Sequence, residues 1–193
     1  MYILSAHNSW SYATPKKWWM KLIRFTAKCQ KFDIKTQYEK YNVKCFDLRV
    51  RFDGNQTPII AHGLIEYDIS PAQLTSDLMW LDSKKDVCVR VLLEVRTESA
   101  YTENNINAFK KFCASLETYY QNIKFWCGRN LYNWNVDYKF NYQPTCEEKY
   151  SSVCPPKIID DWFPWMFAKL HNHDILEEGT DKDILMIDFV NIQ

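Results

Sequence analysis

Glycine is scarce in this chain of 193 residues, which has only four, at positions 54, 63, 128 and 179. No two of these glycines lie close enough to form a Gly-rich phosphate-binding loop of the Walker or dinucleotide type. A bound phosphate group would therefore have to be held mainly by side chains or by the N-terminus of a helix.

The chain also lacks a net charge, because 24 Lys and Arg residues balance 24 Asp and Glu residues. Proteins that bind nucleic acid through bulk charge carry a basic excess, so the sequence predicts no nucleic-acid partner. The charges are unevenly distributed. Residues 1–32 contain six basic residues and no acidic one, whereas residues 160–193 contain eight acidic and two basic residues.

None of the seven cysteines is paired in a CxxC motif, which argues against a zinc knuckle and against a thioredoxin-type redox site. Four cysteines lie in apolar runs and are predicted to be reduced, buried thiols: Cys29, Cys45, Cys88 and Cys113. A disulfide bridge between Cys146 and Cys154 stays open as an alternative.

No signal-peptide pattern is visible at the N-terminus, and no apolar run approaches the length of a transmembrane helix. We therefore expect a cytoplasmic protein, with peripheral membrane contact left open. Pro15 to Lys31 is predicted to form a helix with a basic face and an apolar, Trp-containing face. Such a helix either lies on an anionic membrane or packs as an ordinary helix with Trp inward, and the second interpretation is preferred.

Strands and helices are predicted to alternate along the chain. The predicted strands are residues 2–4, 43–52, 58–61, 87–95, 123–127 and 184–190. The predicted helices are residues 15–31, 33–41, 70–82, 103–120 and 161–171, with long loops over residues 128–156. This alternation, without an internal repeat or a linker, predicts one α/β domain over residues 1–193, built as a sheet or barrel with parallel strands.

Two of the four histidines directly follow predicted strands. His7 comes after the first strand, and His62 comes after the strand over residues 58–61. In barrel enzymes the catalytic groups come from the C-terminal ends of different strands. We therefore expect His7 and His62 to face each other across a phosphate-sized gap, and we interpret His171 and His173 as surface residues.

Charged side chains interrupt three otherwise apolar strands. They are Asp47, Arg49 and Arg51 in one strand, Glu94 and Arg96 in a later strand, and Asp188 in the last. Charges on the inner face of a barrel strand are costly unless they are paired or functional. Asp47 and Arg49 fit either a structural ion pair or a phosphate site, and the second is preferred. Arg51 and Glu94 are interpreted as structural partners.

Four short motifs, in their order and spacing, resemble the catalytic X-domain of the phosphatidylinositol-specific phospholipase C (PI-PLC) family. They are the His-Asn pair at residues 7–8, CFDLRVRF at 45–52, PIIAHG at 58–63 and LMIDFV at 185–190. The resemblance covers mostly residues 2–98, with a weaker match near the C-terminus. It implies a distorted or trimmed TIM-type (β/α) barrel, because 193 residues are fewer than the roughly 250 typical of that fold.

The resemblance implies a role for each matching residue. His7 is implied to be the general base that deprotonates the inositol hydroxyl next to the phosphodiester, and His62 the general acid that protonates the leaving alkoxide. Two imidazoles suit this task because their unperturbed pKa lies near neutrality. The implied catalytic set is His7, Asp47, Arg49, His62 and Asp188, and Asn8 and Arg96 are the implied substrate-binding residues. Within this set, Arg49 would neutralise the phosphate and Asp188 would orient His7.

The resemblance also predicts how the phosphate charge is met. Eukaryotic members of the family hold a calcium ion with an Asn and three carboxylates. Asn8 and Asp47 match two of those positions, but Arg49 and Arg96 take the other two. Two cations there would repel Ca²⁺, whereas a guanidinium can bind phosphate oxygens directly. The expectation is a metal-independent enzyme of the bacterial type, without Ca²⁺ or another cofactor.

One position departs from the bacterial pattern, because bacterial members usually have Asp where this chain has Asn8. Electrostatic support for His62 would then come from Asp47 or be missing.

The predicted function is a monomeric phosphodiesterase that cleaves a phosphoinositide or related diester through a cyclic phosphate. Two alternatives stay open: a metal-dependent glycerophosphodiesterase-like barrel, with Asn8 and Asp47 as partial ligands, and a non-catalytic protein that binds phospho-sugars or lipid head groups.

Overall fold

The computed structural model describes residues 2–54, 56–94, 102–127, 138–145, 147–149, 163–181 and 183–192. Its strands are β1 (Ile3–Ala6), β2 (Cys45–Arg51), β3 (Ile59–His62), β4 (Ile65–Glu66), β5 (Cys88–Leu93), β6 (Lys124–Cys127), β7 (Glu147–Lys149) and β8 (Asp183–Ile187). Its helices are α1 (Trp18–Leu22), α2 (Ile34–Tyr41), α3 (Pro71–Asp82), α4 (Glu103–Tyr119) and α5 (Pro164–Glu177). Short 3₁₀ turns occupy Ser9–Tyr12 and Arg24–Thr26.

Six strands lie side by side in the order β7-β8-β1-β2-β5-β6, and every neighbouring pair is parallel. The predicted α/β sheet with parallel strands is therefore confirmed for these six strands. The central strands β2 and β5 are buried along almost their whole length, as expected for a parallel sheet covered on both faces.

Strand β3 departs from this pattern because it runs antiparallel to β2, with Arg51 paired to Ile59 and Val50 to Ile60. The turn between them contains Gly54, whose φ of 86° lies in the left-handed region that glycine tolerates. An antiparallel hairpin agrees with the Asp53-Gly54 turn signal between the two predicted strands. His62 returns along β2 from the hairpin turn, and it reaches the same region as the ends of β1 and β2.

A closed barrel is not confirmed. In the part of the chain that the structure describes, β6 pairs only with β5 and β7 pairs only with β8, so both are edge strands and the sheet is not closed. The chain between these edges runs through residues 128–146, most of which lie outside the described ranges. The fold is accordingly a mixed sheet with helices, and most of the strands in the sheet are parallel.

Three helices begin at capping side chains that satisfy a backbone N–H of the first turn. Asp33 accepts from the N–H of Thr36 at 2.8 Å before α2, and Ser70 accepts from the N–H of Gln73 at 3.1 Å before α3. Thr102 accepts from the N–H of Asn105 at 3.3 Å before α4. Capping and apolar periodicity together explain why these three helices match their predicted ranges within one or two residues.

The predicted helix over Pro15–Lys31 is wrong in extent, because only Trp18–Leu22 is α-helical and the chain then continues as a 3₁₀ turn. Residues 27–30 leave the helical path and run into the core, where Cys29 and Gln30 are fully buried. The expectation that Trp points inward fails for Trp18, whose side chain is 74% exposed. Leu22 and Phe25 are exposed as well, and Met20 takes the buried position.

The four cysteines predicted to be buried free thiols, Cys29, Cys45, Cys88 and Cys113, are both free and buried. Cys146 and Cys154 lie outside the described residues. Among the residues described, no helix is both long enough and apolar enough to cross a bilayer.

Candidate active site

The carboxyl ends of β1 and β8 bring His7 and Asp188 together. Ala6 and Ile187 are paired across the two parallel strands, so the residue that follows each of them emerges at the same edge of the sheet. The His7 Nδ1 and Asp188 Oδ1 atoms lie 2.7 Å apart, and both side chains are buried. A carboxylate at Nδ1 fixes the orientation of the imidazole and assigns proton transfer to Nε2.

Asp47, on β2, is the centre of a buried charge cluster. Its Oδ2 accepts from Arg49 Nε at 2.7 Å and from the N–H of Asn8 at 2.9 Å, and its Oδ1 accepts from Arg90 Nη1 at 2.7 Å. Burial alone would raise the pKa of Asp47, but the two guanidinium groups hold it well below its usual range. Asp47 is therefore an anion that positions two arginines, and its Oδ2 lies 4.0 Å from His7 Nε2.

Arg49 extends from β2 toward Glu94, which follows β5. Arg49 Nη1 lies 3.5 Å from Glu94 Oε2, and Glu94 Oε1 accepts from the N–H of Gly63 at 2.9 Å. Burial opposes the charged form of Arg49, but Asp47 and Glu94 outweigh it and raise its pKa. Among the described residues, Arg49 Nη2 donates no hydrogen bond. This NH₂ group can therefore donate to a bound anion.

His62 has neutral partners. Its Nδ1 lies 3.1 Å from the Ala27 carbonyl oxygen and 3.6 Å from Cys29 Sγ. Burial, and then the positive charge of Arg49, lower the pKa of His62 to about 4. Neither ring nitrogen is hydrogen-bonded to a carboxylate among the described residues. Asp47 therefore supports His7 instead of His62.

The two imidazole rings are in direct edge contact. Their centroids are 5.2 Å apart and their planes are 82° to each other. The expected convergence of His7 and His62 is present, but the expected phosphate-sized gap between the rings is not. A phosphodiester would have to approach from the side of Arg49 and separate the rings.

Asn8 has a fully buried side chain whose amide nitrogen and oxygen have no hydrogen-bond partner among the described residues. Buried amides are nearly always paired. Its backbone is held in the left-handed region, at φ 42°, while its N–H donates to Asp47. This unpartnered amide beside a charged cluster has both a donor and an acceptor to offer a bound polar molecule.

Comparison with solved structures shows which known proteins have a similar fold. The chain is similar to the phosphatidylinositol-specific phospholipase C of Listeria monocytogenes, with a TM-score of 0.61 at 12% identity over 98% of this chain and 88% of that one. It is similar to the H258Y mutant of the Staphylococcus aureus enzyme, with a TM-score of 0.61 at 13% identity over 97% of this chain and 84% of that one. The chain has a PI-PLC-like fold.

Other alignments with the Staphylococcus aureus enzyme are shorter and span less than half of the solved chain. The double mutant N254Y/H258Y matches with a TM-score of 0.50 at 17% identity over 65% of this chain and 46% of that one. Another structure of that enzyme aligns over 62% of this chain and 39% of that one. No family model matches the sequence, and no curated protein matches it.

Within this PI-PLC-like fold, six of the seven residues predicted from sequence lie in one cluster. They are His7, Asn8, Asp47, Arg49, His62 and Asp188. Arg96 lies outside the described residues. His173, interpreted as a surface residue, is exposed on α5 and lies 3.2 Å from Glu177.

Three members of the cluster were missed or given another role. Arg90 interrupts the apolar run of β5, and Glu94 lies on the same face two alternations later, so the strand pattern contained a signal for both. Cys29 was assigned to a helix, and nothing in its local sequence indicated that it lies beside His62.

Proposed function

We propose that this protein is a PI-PLC-like phosphodiesterase that cleaves the phosphodiester of phosphatidylinositol or a related phospholipid by acid–base catalysis. One observation carries the proposal: a carboxylate-oriented imidazole, His7, lies against a second imidazole, His62, beside the guanidinium of Arg49. The solved structures of similar fold are named as phosphatidylinositol-specific phospholipases C, which favours this substrate class.

In the proposed reaction His7 Nε2 takes the proton of the substrate hydroxyl that neighbours the phosphodiester. That hydroxyl oxygen attacks phosphorus and forms a cyclic phosphodiester. The bond from phosphorus to the lipid alkoxide breaks, and the alkoxide takes a proton from His62. Water then opens the cyclic product with the two histidine roles reversed.

The proposed phosphate contacts are Arg49 Nη2 and the unpartnered amide of Asn8. A phosphodiester anion beside His62 raises the pKa of that imidazole from its low value, because an opposite charge favours the protonated form. On substrate binding His62 would thus take up from water the proton that it needs as the general acid. When the rings separate, His62 would move more readily than His7. The reason is that His62 is held by the neutral Ala27 carbonyl, whereas His7 is buried with Asp188.

We propose that no metal ion takes part in this reaction. The guanidinium of Arg49 lies between Asp47 and Glu94, so a fixed positive charge already fills the space between the two carboxylates. A divalent cation placed between Asp47 and Glu94 would be repelled by Arg49 and by Arg90. These charges argue equally against the metal-dependent glycerophosphodiesterase alternative.

The proposal also includes peripheral contact with the lipid surface. Trp18, Leu22 and Phe25 are exposed, and Phe25 stacks on Phe163 with ring centroids 5.6 Å apart. Ala27, which contacts His62, follows Phe25 by two residues. An apolar surface this close to the histidines would bring the site to the head groups of a bilayer.

The direct edge contact of the two rings favours one alternative, a non-catalytic protein that binds head groups. The decisive assay is the release of inositol cyclic phosphate from phosphatidylinositol vesicles, with and without a chelator. We expect release that the chelator does not reduce, a loss of at least a hundredfold in His7→Ala, and a similar loss in Arg49→Ala. Vesicle binding without release would establish the binding protein instead. Full activity in His7→Ala would refute the assignment of the base.

A further inference from the structure

The thiol of Cys29 lies beside the two histidines and has no part in the proposed reaction. Cys29 Sγ is 3.6 Å from His62 Nδ1 and 3.5 Å from the Ala27 carbonyl oxygen. One potential ligand atom each from His7, Cys29 and His62 lies within 4.8 Å of the other two. This group combines two nitrogens and one sulfur, which is a ligand set that zinc prefers and that calcium and magnesium avoid.

The spacing of the three side chains fits a tetrahedral ion. With Zn–N and Zn–S bonds of about 2.0 and 2.3 Å, neighbouring N and S ligands lie roughly 3.5 Å apart, and the observed distance from Sγ to Nδ1 is 3.6 Å. Two imidazoles on one such ion have centroids roughly 5 Å apart by the same bond lengths, and the observed separation is 5.2 Å. Both distances match those around one ion, and the three ligand atoms, which lie within 4.8 Å of one another, would draw closer to reach it.

The surrounding hydrogen bonds orient these ligands in advance. Asp188 holds His7 through Nδ1 and directs Nε2 outward, which is the carboxylate–histidine arrangement common around zinc. Ser11 Oγ accepts from the N–H of Cys29 at 3.0 Å and fixes the backbone beneath the thiol. The Ala27 carbonyl also accepts from Tyr67 at 2.7 Å, so it keeps a partner when His62 Nδ1 turns to a metal.

From this geometry we infer that His7, Cys29 and His62 form an inhibitory binding site for Zn²⁺ or a similar borderline-soft divalent cation. Binding forms one Zn–S and two Zn–N bonds and releases the thiol proton to water. The fourth position is left to water or to an anion. The positive charge of Arg49 is already met by Asp47 and Glu94, and the Cys29 thiolate and Asp188 supply two negative charges beside the ion.

The consequence for activity rests on the proposed function. An ion at this site occupies His7 and His62 together and removes the base and the acid at once. Zn²⁺ would then inhibit the diesterase, whereas Mg²⁺ and Ca²⁺ would not, because N and S ligands bind these hard cations weakly.

Binding is tested first by a method that does not depend on catalysis. The reduced, metal-free protein is titrated with Co²⁺ and Zn²⁺ at pH 7. We expect a thiolate-to-cobalt absorption band, its loss on addition of Zn²⁺, and a rise in melting temperature with Zn²⁺. Cys29→Ala is expected to lose the band and to bind Zn²⁺ at least tenfold more weakly. Cys45→Ala is the matched control, because Cys45 is a buried thiol at the N-terminal end of β2. This variant should keep both signals.

Inhibition is then measured with each variant normalised to its own metal-free rate. The expected result is a Zn²⁺ inhibition constant raised at least tenfold in Cys29→Ala and unchanged in Cys45→Ala. An unaltered band or an unaltered Zn²⁺ affinity in a folded Cys29→Ala protein would overturn the site. If the protein proves to have no diesterase activity, the cobalt band and the melting shift still decide the metal site, so the two proposals fail separately.

Discussion

His62 differs from an ordinary histidine because its neighbours do not stabilise the imidazolium. Its Nδ1 lies against the Ala27 carbonyl and the Cys29 thiol, and the guanidinium of Arg49 is close by. Burial and Arg49 lower its pKa from 6.5 to about 4. His62 therefore stays neutral in the native state at pH values at which the same histidine is already protonated in the unfolded chain.

This difference predicts a pH-dependent stability. Between pH 6.5 and about 4 the unfolded chain binds a proton at His62 that the native state does not, so the free energy of unfolding falls as the pH is lowered through this window. We expect a contribution of about 1–3 kcal/mol. Urea unfolding at several pH values measures it in wild type and in His62→Gln, which should show a shallower slope. His173→Gln, at an exposed position, should keep the wild-type slope; equal slopes in all three proteins would contradict the assignment.

The ion pairs of Asp47 lead to a second prediction about a single residue. Asp47→Asn removes the carboxylate that forms ion pairs with both Arg90 and Arg49. Leaving two buried guanidinium groups without their carboxylate should cost about 3–5 kcal/mol of unfolding free energy. Asp68→Asn, at an exposed position, should change it by less than about 0.5 kcal/mol. Chemical denaturation at pH 7 compares the two, and a loss below about 1 kcal/mol in Asp47→Asn would disprove the structural role.

At the scale of single elements, the helices that match their predicted ranges have capping side chains, whereas α1 has none. The Lys17 side chain provides no cap for α1, and Arg24–Thr26 continues only as a 3₁₀ turn. The N–H groups of Cys29 and Gln30 both donate to Ser11 Oγ, at 3.0 and 2.8 Å. These long-range bonds require an extended chain, so helical periodicity over Pro15–Lys31 was overridden by tertiary contacts.

The cap of α3 predicts a measurable loss. Ser70→Ala removes the acceptor for the N–H of Gln73 and should lower the free energy of unfolding by about 1 kcal/mol. Ser70→Asp keeps an acceptor at the same position and should restore most of the loss. Thermal or urea unfolding of the three proteins measures both effects. Equal losses in the Ala and Asp variants would show that the hydroxyl acts through something other than capping.

At the scale of the whole molecule, exposed apolar side chains and basic residues occur together near one end of the chain. Trp18, Leu22 and Phe25 are 74%, 68% and 54% exposed, and Lys16, Lys17 and Lys21 beside them are exposed too. Apolar side chains gain free energy on entering a lipid interface, and each nearby Lys adds about 1 kcal/mol on an anionic surface. This combination supports the proposed membrane contact.

The corresponding prediction is a loss of vesicle binding. The double variant Trp18→Ser, Phe25→Ser removes two large apolar side chains, each worth about 1.5 kcal/mol or more on burial, so its partitioning should fall at least tenfold. Sedimentation with anionic phospholipid vesicles measures it, and high salt should weaken binding further. Tyr119→Ser, at a 75% exposed aromatic on α4, is the control. A fall of similar size in Tyr119→Ser would show that the surface is not specific.

The sequence by itself determined six of the eight strands and most of the helices, because apolar runs, caps and turn residues act over a few neighbours. The short strands β4 and β7 were not predicted, and β7 lies within residues 128–156, which were interpreted as loops. The sequence also indicated most of the candidate site, because its motifs place His7, Asp47, Arg49, His62 and Asp188 on predicted strands or directly after them. Prediction from sequence fails where segments that are far apart in the chain come into contact. The partners of Asp47 and the approach of Cys29 to His62 depend on contacts between elements far apart in the chain.

The tertiary structure decided two matters that local pattern could not. It drew residues 27–30 out of the predicted helix, and it brought the imidazoles of His7 and His62 into edge contact. Each depends on hydrogen bonds or packing between segments distant in sequence, and neither spacing nor composition encodes these. The scarcity of glycine excluded a backbone phosphate loop, and the fold supplied in its place a buried arrangement of imidazole, guanidinium and carboxylate side chains.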